Sequence, residues 1–305
     1  MTTRRSFIKS STLASTLAFP AVLRAQPAGT PAPNQRLNVA IIGAGGRGGA
    51  AVQGMKDENI VAICDVDEGR CDTSLKSFRD KYPEEAARHE SAARFNDYRK
   101  MFDRMGNKID AVTISTPDHM HFPAAMAAMS LGKHVYVEKP MTHTVWEARQ
   151  LTEKAREKKV VTQMGNQGHA GEGIRLVQEW FNAGVLGEVR EAQIWTNRSA
   201  AMGPDGKEQV VWPQGMQEWP KADTPPEGFS QELFLGRAQE RTYSNAIHPF
   251  KWRGYIDYGC GALGDMACHL MDAAFWNLKL GAPTSVELKK IVGKSPIAFP
   301  KSAIV

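Results

Sequence analysis

The first half of the chain alternates short apolar runs with longer stretches of helical period. Apolar runs rich in β-branched residues occupy 37–42, 60–64, 111–115, 134–137 and 160–163. Each is short and nearly continuous in hydrophobicity, the mark of a strand buried on both faces of a parallel sheet. Each leads into a turn or a polar group: Gly43, Asp65, Thr116-Pro117, Glu138-Lys139-Pro140 and Gly165. Helical segments lie between them. The clearest starts at Thr144, with Glu147 three residues on as a capping-box partner, and Val145, Ala148, Leu151 and Ala155 then share a face. Strand and helix in alternation predict an α/β fold with an N-terminal doubly wound parallel sheet of Rossmann type. Ligands of such sheets sit at the carboxyl ends of the strands.

Past about residue 164 the pattern changes. Residues 172–183, with Ile174, Val177 and Phe181 in phase and Gly184 at the end, predict a helix packed on a core. Residues 198–250 are rich in Pro and Gly, and Trp195, Trp212, Trp219 and Trp252 lie in or beside them. Long irregular stretches often carry function. Indole faces suit the C–H faces of sugars, and they suit packing such a loop equally well. No internal repeat is present.

Gly43-Ala44-Gly45-Gly46-Arg47-Gly48 follows the first strand and opens a helix, and Asp65 closes the second strand. A GxGxxG alone is a weak signal; in this context it points to a dinucleotide. Gly43 permits the tight turn, Gly45 lets backbone approach a pyrophosphate, and Gly48 lets helix and strand pack closely. The helix N-terminus offers N–H groups to phosphate. Asp65 would accept from the adenosine ribose hydroxyls, which favours NAD over NADP. Arg47 weakens that preference, because a cation there could meet a phosphate.

The 305 residues carry a net charge of +5, but Arg4, Arg5, Lys9 and Arg24 supply four of those charges within the first 35 residues, which hold no acid. The nearly neutral remainder argues against a nucleic-acid partner. Arg4-Arg5-Ser6-Phe7-Ile8-Lys9, an apolar run over 12–23 and Arg24-Ala25-Gln26 have the order of a twin-arginine signal. The run is too short to span a membrane. Export, with a periplasmic destination, is therefore expected, and residues 27–33 read as a linker. Cys64, Cys71, Cys260 and Cys268 show no CxxC or zinc-like spacing. A disulfide framework is not expected, and Cys64, in an apolar run, reads as a buried thiol.

Four motifs make the chain resemble the Gfo/Idh/MocA family, that of glucose–fructose oxidoreductase and inositol dehydrogenase. They are Gly43 to Gly48, Ser115-Thr116-Pro117-Asp118-His119-Met120-His121, Val137-Glu138-Lys139-Pro140, and Gly264-Asp265-Met266-Ala267-Cys268-His269. The likeness covers residues 36–305. Gly165-Asn166-Gln167-Gly168-His169 and His248-Pro249-Phe250-Lys251-Trp252-Arg253 resemble a secreted subgroup. The resemblance implies a C-terminal α+β domain with an open, mostly antiparallel sheet. The expected division is 1–35 signal and linker, 36–163 Rossmann domain, and 164–305 substrate domain. Family members are longer, so that last domain is expected to be incomplete. The family often pairs through that sheet, which makes a homo-oligomer the expectation by analogy.

Hydride transfer from a carbinol needs a placed nicotinamide, an acceptor for the hydroxyl proton, and polarisation of the oxygen. Lys139, at a strand end, could polarise the oxygen; its bland alternative is a salt bridge with Glu138. Glu138 reads as a ribose contact or as support for its neighbours. Asp265 and His269 are one helical turn apart and share a face. By spacing alone, a cap plus a packed histidine is an equal reading. The resemblance implies His269 as general base, with Lys139 and Asp265 assisting. It also implies that Ser115, Thr116, Pro117, His119 and His121 line the nicotinamide pocket. Gln167, His169 and Trp252 join Lys139, Asp265 and His269 as expected substrate contacts. The HxH pair has no matching third ligand, so no metal is expected.

The expectation is an NAD(P)-dependent oxidoreductase acting on a hydroxyl of a sugar, polyol or glycoside. The alternative is a glycosidase whose NAD is transiently reduced and recycled. A non-enzymatic sugar-binding module is disfavoured by the joint presence of Lys139, Asp265 and His269.

Overall fold

In the computed structural model of the chain, residues 36–198, 200–202 and 207–305 are described. The expected signal and the linker at 27–33 lie outside them. Strands and helices alternate through the first half: Asn38–Ile42 (β1), Gly48–Gly54 (α1), Asn59–Cys64 (β2), Glu68–Lys81 (α2), Pro83–His89 (α3), Ala93–Phe95 (β3), Tyr98–Met105 (α4), Ala111–Ile114 (β4), Asp118–Ser130 (α5), His134–Glu138 (β5), Val145–Lys158 (α6) and Thr162–Gly165 (β6). The six strands form one parallel sheet in the order β3-β2-β1-β4-β5-β6. That is the doubly wound order of a Rossmann fold. Its chain reversal falls between β1 and β4, where a crevice opens at the carboxyl ends.

The five expected strands are all present. The last is displaced two residues toward the C-terminus, so that Glu138 pairs with Gly165. The three-residue β3 escaped the pattern, because Ala93-Arg94-Phe95 has neither an apolar run nor room to show alternation. Two apolar layers flank the sheet. One gathers Ala40, Ile42, Val112, Ile114, Val135 and Val137 under α5 and α6; the other gathers Ile41, Ile60 and Ile63 under α1 and α2. Thr144 caps α6 with Glu147 completing the box. Leu151 is buried on its inner face, while Val145 stays exposed at the first turn.

The second half contains Glu172–Asn182 (α7), Ala200–Met202 (β7), Glu208–Val210 (β8), Gln231–Leu235 (α8), Gly261–Leu270 (α9), Asp272–Asn277 (α10), Lys290–Val292 (β9) and Ser302–Ile304 (β10). The fold is thus α/β with a second α/β part. The antiparallel strands expected there form two two-stranded ribbons, β7-β8 and β9-β10. Residues 37–305 make up one compact unit.

Helix α7 corrects an expectation. No residue of it is buried, and Leu176 and Trp180 are exposed. Its apolar stripe is real, but among the described helices and strands the main elements against it are α10 and the short helix at Gln167–Ala170. A helix needs an opposing layer to bury its stripe.

Candidate active site

A cavity of about 830 Å³ runs along the carboxyl ends of the strands. One end is the glycine turn after β1. Gly43 has φ +79°, and a Cβ on it would come within 2.7 Å of the Ser115 carbonyl oxygen. A Cβ on Gly48 would stand 1.8 Å from the Gly43 carbonyl oxygen, so only glycine lets α1 start there. Gly43, Gly45, Gly46 and Arg47 line the cavity; Ala44 and Gly48 do not, being turned into the strand–helix contact.

Asp65 closes β2 beneath this turn. Its Oδ2 accepts from the N–H groups of Ala44 and Gly45, both at 2.8 Å, and its Oδ1 accepts from Asp67 N–H at 3.0 Å. Burial holds its carboxyl above the ordinary range, against the pull of these three N–H groups. The loop amides therefore converge on an anion, and that anion is the Asp65 side chain. A carboxylate has about four acceptor positions, so one remains for a ribose hydroxyl.

The middle of the cavity is walled by Ser115, Thr116 and Pro117, between β4 and α5, and by Glu138 at the end of β5. Glu138 receives Arg47 Nε at 3.1 Å and Gln167 Nε2 at 2.8 Å. Arg47 is therefore engaged with a carboxylate. Gln167, expected at the substrate, spends its amide N–H groups on Glu138 and the Gly165 carbonyl.

The far end holds Lys139, Asp265 and His269 together. Lys139 Nζ donates to Asp265 Oδ1 and to the Asp265 carbonyl oxygen, each at 2.9 Å. The alternative bridge to Glu138 is not formed. Both side chains are nearly buried, at 14% and 7% exposure. Arg253 Nε stands 3.4 Å from the same Oδ1, and its guanidinium lies over Trp252 and Phe250. Trp252 is buried in the cavity wall.

His269 lies on the cavity-facing side of α9 with Asp265, but Asp265 does not orient it. Asn166 does. Asn166 Nδ2 donates to the Cys268 carbonyl at 2.7 Å and to Asp272 Oδ2 at 3.2 Å, which fixes the amide orientation. Its Oδ1 then faces His269 Nδ1 at 2.9 Å. This assigns the proton to Nδ1 and leaves the lone pair on Nε2. Partial burial and the Lys139 cation hold the imidazole below its ordinary pKa, so it is neutral at pH 7.

Besides Ala44 and Gly48, three expected site residues lie outside the cavity. His119 and His121 are 1% exposed and do not line the cavity. Asp118 and Met120, in the first turn of α5, line the cavity, whereas the two histidines are buried in the core. His119 Nε2 meets the Phe234 carbonyl at 2.9 Å, and burial lowers its pKa to about 4. The His121 nitrogens face the Pro140 and Thr116 carbonyls at 2.8 and 2.9 Å, tying together the loops that flank the cavity. His169 is held outside by Asp272, at 3.0 Å, and by the Trp276 ring. Of the four tryptophans, Trp212 and Trp252 line the cavity, Trp219 stacks on Tyr255, and Trp195 is 80% exposed.

Asp118, Arg253, Arg70 and His248 are among the cavity residues that pattern alone did not mark. Asp118 and Arg253 sat inside motifs whose histidines and tryptophan drew attention. Arg70 reaches back over the glycine turn, its guanidinium 3.0 Å from where a Gly46 Cβ would stand. His248 Nε2 meets Asp67 Oδ2 at 2.7 Å and pins the later half of the chain to the end of β2. No sequence signal marks that pair, since the partners are 181 positions apart. Among the described residues, no group of three or more His, Cys, Asp or Glu could hold a metal ion.

Residues 37–166 match the oxidoreductase family with an NAD-binding Rossmann fold, and residues 176–291 match that family's C-terminal alpha/beta domain. The chain belongs to the GFO/IDH/MocA oxidoreductase family. A glycosyl hydrolase family 109 protein of Solibacter usitatus is 29% identical over 194 residues, which are 61% of this chain and 42% of that protein. A levoglucosan dehydrogenase of Pseudarthrobacter phenanthrenivorans is 29% identical over 199 residues, 63% of this chain and 39% of that enzyme. Among solved structures, the WlbA dehydrogenase of Bordetella pertussis, in complex with NADH and UDP-GlcNAcA, is 20% identical with a TM-score of 0.39, over 49% of this chain and 43% of that one. The chain spans about two-fifths of the length of the two curated relatives.

The NAD that defines this family's first domain fits the residues present. The turn at Gly43 is a cradle that a Cβ would fill. The loop amides already hold a carboxylate at hydrogen-bond distance. One cavity connects them to Lys139 and His269, and its volume lies within the usual range for cofactor sites. No helix of the described residues is long and apolar enough to cross a membrane.

Proposed function

We propose that the chain is an NAD-dependent oxidoreductase that moves a hydride between the nicotinamide and a hydroxyl-bearing carbon of a sugar, polyol or glycoside. The observation that carries this reading is the joining of Lys139, Asp265 and an Asn166-oriented His269 in the cavity that begins at the dinucleotide turn. Gly46, Arg47 and Arg70 would hold the diphosphate, with Gly45 leaving room for its approach, Asp65 the adenosine ribose, and residues 115–117 with Glu138 the nicotinamide side. Bound NAD would supply the hydride acceptor.

The protein's own residues handle the oxygen and the proton. Two N–H groups of Lys139 are committed to Asp265, so the third is free to hold the carbinol oxygen. The Lys139 cation stabilises the negative charge that builds on that oxygen as its proton leaves. His269 Nε2, carrying the lone pair, takes the hydroxyl proton. Its ring is part-exposed, so the proton can pass on to solvent. Trp212 and Trp252 offer flat apolar walls for the C–H faces of a ring.

The test is native mass spectrometry for bound dinucleotide, then a screen of sugars, polyols and glycosides while NADH absorbance is followed. Net NADH in step with oxidised product supports the reading; absence of dinucleotide, even when added, overturns it. The relatives named as family 109 glycosyl hydrolases favour one second reading, a glycosidase with recycled cofactor. It requires glycoside cleavage with no net NADH.

The same proposal includes export of a folded enzyme through the signal in residues 1–35, a Rossmann domain over 36–163, a substrate domain over 164–305, and self-association. Loss of export in an Arg4→Lys, Arg5→Lys variant and light scattering of the purified chain test the first and last of these.

A further inference from the structure

Asp118 is the first residue of α5, at the carboxyl end of β4, beside the strand that carries Lys139. It is 2% exposed and lines the same cavity as Lys139, Asp265 and His269. Its Oδ2 is buried and has no hydrogen-bond partner. The Cys260 thiol stands beside the carboxyl but donates to the Thr142 carbonyl oxygen, and Asp265, Arg253 and Lys139 are the carboxyl's charged neighbours. Neither cation pairs with it: Lys139 is spent on Asp265, and Arg253 leans on the same carboxylate. Burial, with the nearby Asp265 carboxylate, pushes the Asp118 carboxyl up to about 7.

A buried carboxyl oxygen without a partner is costly, and cavity-lining groups left so are commonly completed by a ligand. The surroundings restrict that ligand. An anion would face both Asp118 and Asp265. A cation would face Lys139 and Arg253. A hydroxyl donates and accepts, so it fits the carboxyl in either protonation state. The carbinol oxygen is assigned to Lys139, and Asp118 flanks that position from the neighbouring strand end.

We propose that Asp118 is a substrate-binding residue that takes the hydroxyl on the carbon next to the reacting carbinol, so that the enzyme selects vicinal diols over isolated alcohols. This deepens the oxidoreductase reading and rests on it. A site built to bond a hydroxyl discriminates strongly against an analogue that lacks it, because its own polar group is then left unpaired.

The experiment uses the NAD-loaded chain and three probes: cis-cyclohexane-1,2-diol, trans-cyclohexane-1,2-diol and cyclohexanol. Binding is read by the change in tryptophan fluorescence, since Trp212 and Trp252 line the cavity. The expected result is at least one diol binding about tenfold or more tightly than cyclohexanol, the equivalent of about 1.4 kcal/mol. Asp118→Ala should erase that preference, and Asp118→Asn, which keeps shape and one acceptor, should retain part of it. Thermal melts of both variants report whether they fold. Equal affinity for diol and alcohol, failure of both diols to bind, or a preference that survives in folded Asp118→Ala overturns the proposal. Dinucleotide binding, measured separately by native mass spectrometry, shows whether the oxidoreductase reading falls with it.

Discussion

Lys139 and Asp265, 126 positions apart, meet through two contacts of 2.9 Å, one to the carboxylate and one to the carbonyl of the same aspartate. The double contact fixes the ammonium at the mouth of β5 with one N–H group to spare. Asp265 also faces Arg253, so one buried carboxylate balances two cations.

Removing that carboxylate while keeping its shape should be severe. Asp265→Asn leaves Lys139 and Arg253, both nearly buried, without their paired carboxylate. Breaking a buried pair from one side costs about 3–5 kcal/mol. A thermal or urea melt of the variant checks this; a melt unchanged from the parent chain refutes it. Lys139→Met should cost less, because Asp265 keeps Arg253.

His269→Ala should lower kcat about 10²–10⁴-fold, the usual contribution of a general base, with dinucleotide affinity nearly unchanged. Because the folded pKa of His269 lies below its ordinary 6.5, the acid limb of kcat/KM should have its midpoint below that value. Asn166→Leu removes the group that holds the proton on Nδ1, and should lower kcat while leaving the pH limb visible. Activity against pH for the three proteins decides it.

Gly48→Ala should disable the dinucleotide turn. The new Cβ would meet a backbone carbonyl at 1.8 Å, and backbone cannot yield as a flexible side chain does. The cost should reach the upper end of the roughly 1–3 kcal/mol of overpacking. A melt and a titration with NAD measure both effects. Gly54→Ala, with open space around its Cβ position, is the control and should be harmless.

Two neighbours on α5 should shape acid stability in opposite senses. His119 has a pKa lowered to about 4 by burial. As pH falls from 6.5 toward 4, the unfolded chain takes up this proton and the folded chain does not, so stability is lost over that window. Asp118 is raised to about 7, so the folded chain holds its proton where the unfolded chain has released it. Its contribution is present below about pH 4 and is lost as pH rises to about 7. The two windows overlap and their slopes offset, so denaturant melts from pH 4 to 8 should show stability falling more steeply with rising pH in His119→Asn, and rising more steeply with pH in Asp118→Asn.

Much of the site was legible because its signals are local. Gly43, Gly48 and Thr144 act within a few residues of themselves, and strand ends such as Asp65 and Lys139 follow from runs of hydrophobicity. What pattern could not give is direction around a helix whose faces are all apolar. On α5 the histidines looked chemical, but it is Asp118 that faces the cavity while His119 and His121 bond to carbonyls behind it. His169 likewise carries a reactive ring on a motif, and Asp272 and Trp276 hold it away. The stripe on α7 gave the helix but not its partner, since burial depends on what is packed opposite.

The sequence by itself determined the parallel αβ sheet and the dinucleotide turn with its acid, because backbone conformation and strand burial are written in neighbouring residues; Lys139, Asp265 and His269 were marked by the resemblance of their motifs to the family's. Only the tertiary structure decided that Asp265 serves Lys139 rather than His269, that Asn166 sets the imidazole tautomer, that Asp65 holds the loop amides, and that Asp118 and Arg253 belong to the site. Those facts depend on residues up to 126 positions apart meeting at hydrogen-bond distance, which chain closure and packing settle and local pattern does not encode.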